Sequence, residues 1–298
     1  MPPLPALQLR VLSPALGAEV AGLDLREELS DATVRALRTA WLRHGVLLLR
    51  GQRLDPVSLV AFTRRFGEPV VYTRSENACA GHPEVLVLSN AKVEGKPIGA
   101  AISGRYWHTD GHFLECPPAG TVLFGKEVPP ERGDTVFVNM AAAYAALPDD
   151  LRDAIDGRGF VMDRVQSLAY HYPERPTPGP GQKLLWPDRV QPLVRTHPET
   201  GARSLYIGGI VPWRIVGMEA GDSDALMARL HAHAFQPRFR FRHRWQPGDL
   251  VMWDNRCTAH KATGYDMQRH TRTMLRTTIA GDAPFYAAAA GSAAASAS

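Results

Sequence analysis

Tyr106-Trp-His-Thr-Asp-Gly111 sets two potential metal ligands, His108 and Asp110, two residues apart. On an extended segment side chains alternate between faces, so residues i and i+2 look the same way. One strand end can therefore offer an imidazole and a carboxylate to a single ion. Taken alone, the pair reads more readily as a hydrogen-bonded surface couple. A third donor shifts that balance. Trp253-Asp-Asn-Arg-Cys-Thr-Ala-His260 begins in a buried strand, Leu250-Val-Met-Trp253, and carries a polar run to His260 just past the strand end. His260 by itself is compatible with an ordinary satisfied histidine. Two histidines and one carboxylate together leave three adjacent positions of an octahedral ion open, the arrangement suited to oxygen activation by Fe(II). A zinc site would ask for closed or histidine-rich ligation with an acid/base glutamate nearby, and neither is evident.

Around these ligands the pattern is that of a sheet protein with helices on one side. Leu7 to Leu12 and Glu19 to Leu23 read as short strands. Ser30 caps a helix in which Val34, Leu37, Trp41 and Leu42 recur at helical spacing, and Gly45 ends it. Val46-Leu-Leu-Leu-Arg50 is a buried strand. Asp55-Pro56 starts a second helix with Leu59, Phe62 and Phe66 on its apolar stripe, running to Gly67. Strands follow at Glu84 to Ser89, Gly120 to Glu127 and Thr135 to Asn139, then an Ala-rich helical stretch over 141–156. The proline-rich stretch from Tyr170 to Pro187 reads as a long loop without regular structure, with Tyr170, His171, Tyr172 and Arg175 as lid candidates. Helix returns at Asp222 to Ala234, and strands at Phe239 to Trp245, Leu250 to Trp253 and Arg272 to Ile279. We expect one domain over residues 1–284 and an Ala/Ser-rich disordered tail over 285–298.

Composition narrows the function classes. The 298 residues are 45% apolar and 21% charged, ordinary for a globular chain. With 34 Lys and Arg against 30 Asp and Glu the net charge is +4. The basic residues are scattered and do not form a run interleaved with aromatics, so no nucleic-acid partner is expected. Cys79, Cys116 and Cys257 are odd in number and far apart, which suggests neither a disulfide framework nor a zinc knuckle and fits a cytoplasmic protein. Met1-Pro-Pro-Leu-Pro lacks a basic region followed by an apolar core, and no apolar stretch is long enough to span a bilayer. Neither secretion nor membrane insertion is expected.

The chain resembles the taurine dioxygenase / 2,4-dichlorophenoxyacetate dioxygenase family from about residue 9 to residue 284. The likeness rests on the order and separation of several fragments: Gly17-Ala-Glu-Val-Ala-Gly-Leu-Asp24, His44-Gly-Val, Phe66-Gly-Glu68, Trp107-His-Thr-Asp110, Pro117-Pro-Ala119, Gly133-Asp-Thr135, Trp253-Asp-Asn-Arg256 through His260, and Arg272-Thr-Met-Leu-Arg276. The resemblance implies a mainly β fold with flanking helices, a cupin-like double-stranded β-helix or jelly roll. It implies that His108, Asp110 and His260 are the catalytic iron ligands, with 2-oxoglutarate and O2 as cosubstrates. Halogenating relatives lack the carboxylate that Asp110 supplies here, so halogenation is disfavoured.

By the same resemblance Arg272 is the arginine that holds the C5 carboxylate of 2-oxoglutarate, through a planar fork suited to a carboxylate, and Thr135 is the hydroxyl that assists it. Arg276 resembles the residue that grips a substrate sulfonate or carboxylate, which implies a small acidic substrate; the structural alternative is a salt bridge to a local Asp or Glu. Tyr72 stands where the taurine enzyme has a substrate-contacting histidine, a departure that argues against taurine itself. His112 and Phe113 are further candidates for the substrate wall, although ordinary packing explains them equally well. The expected reaction is hydroxylation of a small carboxylate or sulfonate with release of succinate and CO2. The alternative is a specialised-metabolite oxygenase acting on an amino acid or N-substituted amino acid by hydroxylation, desaturation or isonitrile formation. Trp186-Pro, His197-Pro-Glu-Thr-Gly and Pro284-Phe-Tyr-Ala-Ala loosely resemble isonitrile-forming relatives, whose mid-chain lysine has no counterpart near Ala169 and Tyr170. A homo-oligomer is implied by the family.

Overall fold

The computed structural model describes residues 6–71, 75–101, 103–176 and 178–288. An eight-stranded sheet runs in the order Gln8–Val11, Ala18–Ala21, Val46–Leu49, Leu250–Asp254, Gly120–Glu127, Thr273–Ile279, His82–Ser89, Ala78–Cys79. All neighbours are antiparallel except Ala18–Ala21 with Val46–Leu49, which is parallel. A second sheet has three antiparallel strands, Arg240–His243, Thr135–Asn139 and Thr258–Ala262.

Period-two alternation sorts the side chains of the large sheet into two cores. Leu47, Leu49, Val122, Phe124, Leu250 and Met252 meet Leu37, Trp41, Leu59 and Phe62 of the helices Asp31–His44 and Pro56–Arg64. Val46, Leu48, Leu123, Val251, Trp253 and Met274 meet Phe137 of the three-stranded sheet. Strands buried on both faces carry unbroken apolar runs, which is why Val46-Leu-Leu-Leu49 stands out in the sequence. On the far side of the small sheet, Val136 and Val138 pack with Leu226, Met227 and Leu230 of the helix Ala220–Ala234.

Both expected helix starts form. The Ser30 hydroxyl accepts from the Thr33 N–H at 3.1 Å, and Gly45 closes the helix at φ 69° while donating to the Trp41 carbonyl. The Asp55 carboxylate accepts from the Ser58 N–H at 2.8 Å, with Pro56 in the first turn; this helix stops at Arg64, short of Gly67. The 141–156 stretch divides into Met140–Ala145 and Asp149–Ile155.

Two expectations are corrected. The structure is a mixed, mostly antiparallel multi-sheet fold, not a closed jelly roll: among the described residues no ladder closes the large sheet on itself or joins it to the small one. The segments that a double-stranded β-helix would use as further strands do not pair along their length. The stretch around Gly104 and Gly111 turns twice through left-handed backbone (φ 67° and 63°) and meets the small sheet through one isolated bridge, His108 to His260, and a bond from the Ala262 N–H to the Gly104 carbonyl. Among the described residues, Val194–Thr196 and Arg203–Leu205 form a two-stranded sheet of their own. The second correction concerns 170–187, which is not irregular throughout. Arg164–His171 is helical to within that stretch, and Pro180–Leu185 forms another short helix because Pro180 sits in its first turn, where a missing N–H does no harm.

No helix among the described residues is long and apolar enough to cross a membrane. The segment 285–287, within the region assigned to the tail, lies beside Val194–Thr196: the Phe285 carbonyl accepts from the Thr196 N–H at 2.8 Å, and the Ala287 N–H donates to Thr196 Oγ1 at 2.9 Å. Residues 289–298 of that tail lie outside the described residues.

Candidate metal centre and its cavity

His108 and His260 are placed by backbone pairing. The His108 N–H donates to the His260 carbonyl at 2.9 Å and the His260 N–H donates back at 2.8 Å. Directly opposed residues of an antiparallel pair send their side chains to the same face, and the two rings lie 4.2 Å apart between centroids. Asp110, two residues on, completes the group. Its Oδ1 is 3.9 Å from His108 Nε2 and its Oδ2 is 4.0 Å from His260 Nε2. One donor atom from each residue falls within 4.8 Å of the others, as a single shared ion requires.

The surroundings prepare these donors. His108 Nδ1 is 2.8 Å from the Tyr106 carbonyl, so it carries the ring proton and Nε2 is left with its lone pair toward Asp110. Burial pushes the pKa of both imidazoles down, against the pull of Asp110, with His260 well below its ordinary value. Burial alone would raise the Asp110 carboxyl. The charges of Arg276, His260 and His108 and the Thr121 hydroxyl outweigh it and hold Asp110 well below the usual carboxylate range. The donor set is thus two neutral imidazoles and one carboxylate, the protonation states a metal needs. Gly104 makes room for the first of them: a Cβ there would stand 2.9 Å from His108 Cε1, and its φ of 67° is left-handed.

Two residues not anticipated from the sequence hold Asp110. The Thr121 hydroxyl donates to Asp110 Oδ2 at 2.7 Å, and Asn255 Nδ2 donates to Thr121 Oγ1 at 3.0 Å. Asn255 Oδ1 in turn accepts from Trp253 Nε1 at 2.9 Å. Asn255 lies in the Trp253-Asp-Asn-Arg256 landmark, so its position, though not its task, was visible.

A cavity of about 280 Å³ opens on the two histidines. Thr135, Arg272 and Arg276 all line it, so the structure brings them to the metal ligands. Thr135 accepts a hydrogen bond from Trp245 Nε1 at 3.0 Å, which leaves its own proton to donate. Arg272 has a buried Nε without a partner and makes no salt bridge among the described residues. Desolvation lowers its pKa, partly countered by Tyr265 and Asp134. A desolvated guanidinium lining a cavity without a carboxylate is suited to an incoming anion. Arg276 differs: its Nη1 is 3.2 Å from Asp110 Oδ1.

The other expected site residues among those described do not line this cavity. His112 is buried, edge-on to Tyr206 at 4.3 Å and near Phe160, and does not line the cavity. Phe113 also lies off the cavity, beneath Arg164 and beside Trp186. Of the lid candidates, His171 stacks on Tyr106 at 3.7 Å, and Tyr172 is edge-on to Tyr106 at 5.5 Å. Tyr72 lies outside the described residues.

A second group of potential ligands, His197, Asp254 and Cys257, also falls within 4.8 Å, but its chemistry is wrong for a metal. His197 Nδ1 accepts from the N–H groups of Glu199 and Thr200, both at 3.2 Å, so Nε2 carries the proton that it donates to Asp254 at 3.0 Å. Asp254 is further held by Arg256 at 2.8 and 2.7 Å. Burial raises the Cys257 thiol well above its ordinary value, which keeps it protonated. His197 and Asp254 are thus already engaged by hydrogen bonds within the fold.

The first site defines a class: a mononuclear non-haem iron enzyme that depends on 2-oxoglutarate. Residues 8–278 match the family described as taurine catabolism dioxygenase TauD, TfdA family, and the chain belongs to it. It is 35% identical over 292 residues to the alpha-ketoglutarate-dependent sulfate ester dioxygenase of Pseudomonas putida, covering 94% of this chain and 92% of the relative. It is 33% identical over 282 residues to the alpha-ketoglutarate-dependent 2,4-dichlorophenoxyacetate dioxygenase of Cupriavidus pinatubonensis, covering 90% and 96%. Among solved structures, a taurine dioxygenase from Burkholderia xenovorans superposes with a TM-score of 0.78 at 36% identity, covering 94% of this chain and 91% of the other. The enzyme is an Fe(II)- and 2-oxoglutarate-dependent dioxygenase.

Proposed function

We propose that the enzyme hydroxylates a carbon of a small organic acid while 2-oxoglutarate becomes succinate and CO2. One atom of O2 enters the product hydroxyl and the other the new carboxylate of succinate. His108, Asp110 and His260 would hold Fe(II), which with 2-oxoglutarate supplies the oxidising power to break an unactivated C–H bond. The protein's part is placement and electrostatics. Arg272 receives the C5 carboxylate of 2-oxoglutarate with Thr135 donating beside it, which orients the keto acid toward the histidines across the cavity. Arg276 balances Asp110 and adds positive charge to the wall. As a substrate anchor it would divide that charge between Asp110 and the incoming acid. The observation that carries this reading is the shared cavity: two imidazoles of the triad and a desolvated guanidinium without a carboxylate line the same space.

An acid is favoured because relatives that cover nearly the whole chain act on sulfate esters and on an aryloxyacetate. The outcome is checked by a succinate-release screen with aryloxy acids, alkyl sulfates, alkylsulfonates, amino acids and N-substituted amino acids, with mass analysis of products. Hydroxylation beside the heteroatom gives an unstable product that collapses to an aldehyde or ketone. Succinate release that no acid raises above the substrate-free rate would refute the reading, and an isonitrile or alkene product would favour the specialised-metabolite alternative.

A further inference from the structure

Arg164 is a cation whose neighbouring carboxylate is engaged elsewhere. Asp163 caps its helix, accepting from the N–H groups of Val165 and Gln166 at 2.9 and 3.0 Å. Its other oxygen is 2.8 Å from Lys183 Nζ, which also pairs with Asp188. That ammonium ties the helix Arg164–His171 to Pro180–Leu185, so the two short helices form one wall. Arg164 itself makes no salt bridge among the described residues, and its buried Nε has no partner.

Aromatic rings surround it instead. The guanidinium carbon lies 4.5 Å from the centre of Phe113 and 5.9 Å from that of Trp186, and these two rings meet edge to face at 6.1 Å. Nη1 is 3.4 Å from the Tyr106 hydroxyl, and the Tyr106 ring is 5.3 Å from that of His108. Arg164 therefore stands one aromatic ring out from a metal ligand. Rings strip water from a guanidinium without neutralising it, so an anion placed there meets a stronger field than at an open surface. Of the other basic groups near the triad, Arg105 donates to the His171 carbonyl at 2.7 Å and to Glu174 at 2.8 Å, Arg276 faces Asp110, and Arg272 is the one assigned above to 2-oxoglutarate.

We propose that Arg164 is a specificity-determining anchor: it takes the acid group of the organic substrate, while Phe113 and Trp186 pack against the adjoining carbon skeleton. The substrate class that fits is an aryl or alkyl chain ending in a carboxylate, sulfonate or sulfate, anchored at the outer edge of the His108 side. This rests on the organic-acid reading above and names the side chain that does the recognising.

The test uses full-length enzyme with Fe(II) and 2-oxoglutarate, and phenoxyacetate, hexyl sulfate and hexanesulfonate as probes. For the acid that the wild type turns over fastest, Arg164→Met should raise KM about 10- to 100-fold, the loss of a charge-assisted contact. Arg164→Lys should restore part of it. The preference for that acid over its neutral amide or alcohol counterpart should fall by the same factor, while KM for 2-oxoglutarate, iron content and Tm stay at wild-type values. A purely structural role would move Tm and both KM values together. Should the methionine variant melt early, Arg164→Gln answers the same question. An unchanged acid KM in a folded, charge-removed variant overturns the proposal and leaves the organic-acid reading standing, and the same loss in Arg276→Met would then place the anchor there. Failure of the wild type on every acid refutes that reading itself and Arg164's role with it.

Discussion

His108 and His260 face each other across a two-bond backbone pair, 2.9 and 2.8 Å long, with their imidazoles on the same side of it. Two ligands separated by more than half of the chain are thereby set by main-chain geometry. The third follows two residues after the first and needs only a short extended segment.

Removing a ligand should therefore empty the site without undoing the fold. For His260→Ala we expect iron content to drop to background and succinate release to fall by more than the 10- to 100-fold typical of losing a supporting residue. Tm should stay close to wild type. Iron analysis and a thermal scan on the same preparation check this.

Gly104→Ala should act on the metal through His108. The new Cβ would sit 2.9 Å from His108 Cε1 on a backbone at φ 67°, so the ring or the turn must move. We expect weaker Fe(II) binding by about tenfold or more, measured by competition with a chelator. Unchanged affinity would show that the turn relaxes away from the ring.

Thr121→Val removes the hydroxyl that donates to Asp110 Oδ2 and leaves Asn255 Nδ2 without its acceptor. The expected result is about a tenfold loss of iron affinity and about 1–3 kcal/mol of stability. Chelator competition and urea unfolding separate the two effects.

Arg272→Met should raise KM for 2-oxoglutarate by about 10- to 100-fold, with Arg272→Lys between the two. KM for the organic substrate should change far less. Equal effects on both would place Arg272 away from the 2-oxoglutarate carboxylate.

Acid should destabilise the fold in two windows. Burial pushes His112 down to about 3, with Arg195 adding to the shift, so it stays neutral when folded but takes a proton when unfolded; stability falls as pH drops from 6.5 toward 3. Asp254 is raised by burial, yet hydrogen bonds from Arg256 and His197 bring it down from 3.8 to about 2. Its contribution, about 2 kcal/mol, is complete above pH 3.8 and disappears as pH falls through 2. Urea unfolding across pH should decline below 6.5 and steepen below 4. Asp254→Asn should start less stable, because buried Arg256 loses the Asp254 carboxylate and keeps only Glu199 as a charged partner, and should lack the steeper limb.

Much of the site was legible because its residues carry distinctive chemistry at fixed spacing. His108 and Asp110 are two apart, and His260 follows a buried strand; Arg272 just before the last strand and Arg276 within it are four apart, and both line the cavity. Cap residues Ser30 and Asp55 announced their helices for equally local reasons. What was not legible depends on contacts between distant segments. Nothing local in Thr121 or Asn255 says that they meet at Asp110. The jelly roll was implied by the family resemblance and not by any strand pattern, and it fails here because the stretch bearing His108 contributes a bridge in place of a full strand. His112 looked like a site residue because it follows the ligands, yet Gly111 at φ 63° redirects the chain and sends it into the core. The prolines of 170–187 masked the short helix Pro180–Leu185, which meets the end of Arg164–His171 and brings Trp186 to Arg164.

Crystals grown anaerobically with Fe(II) and 2-oxoglutarate and measured at the iron absorption edge test the assignment of His108, Asp110 and His260. It requires one anomalous peak per chain, bound by His108 Nε2, Asp110 and His260 Nε2, with the C5 carboxylate of 2-oxoglutarate against Arg272. Iron found at His197, Asp254 and Cys257, or no iron between the two paired histidines, would contradict it.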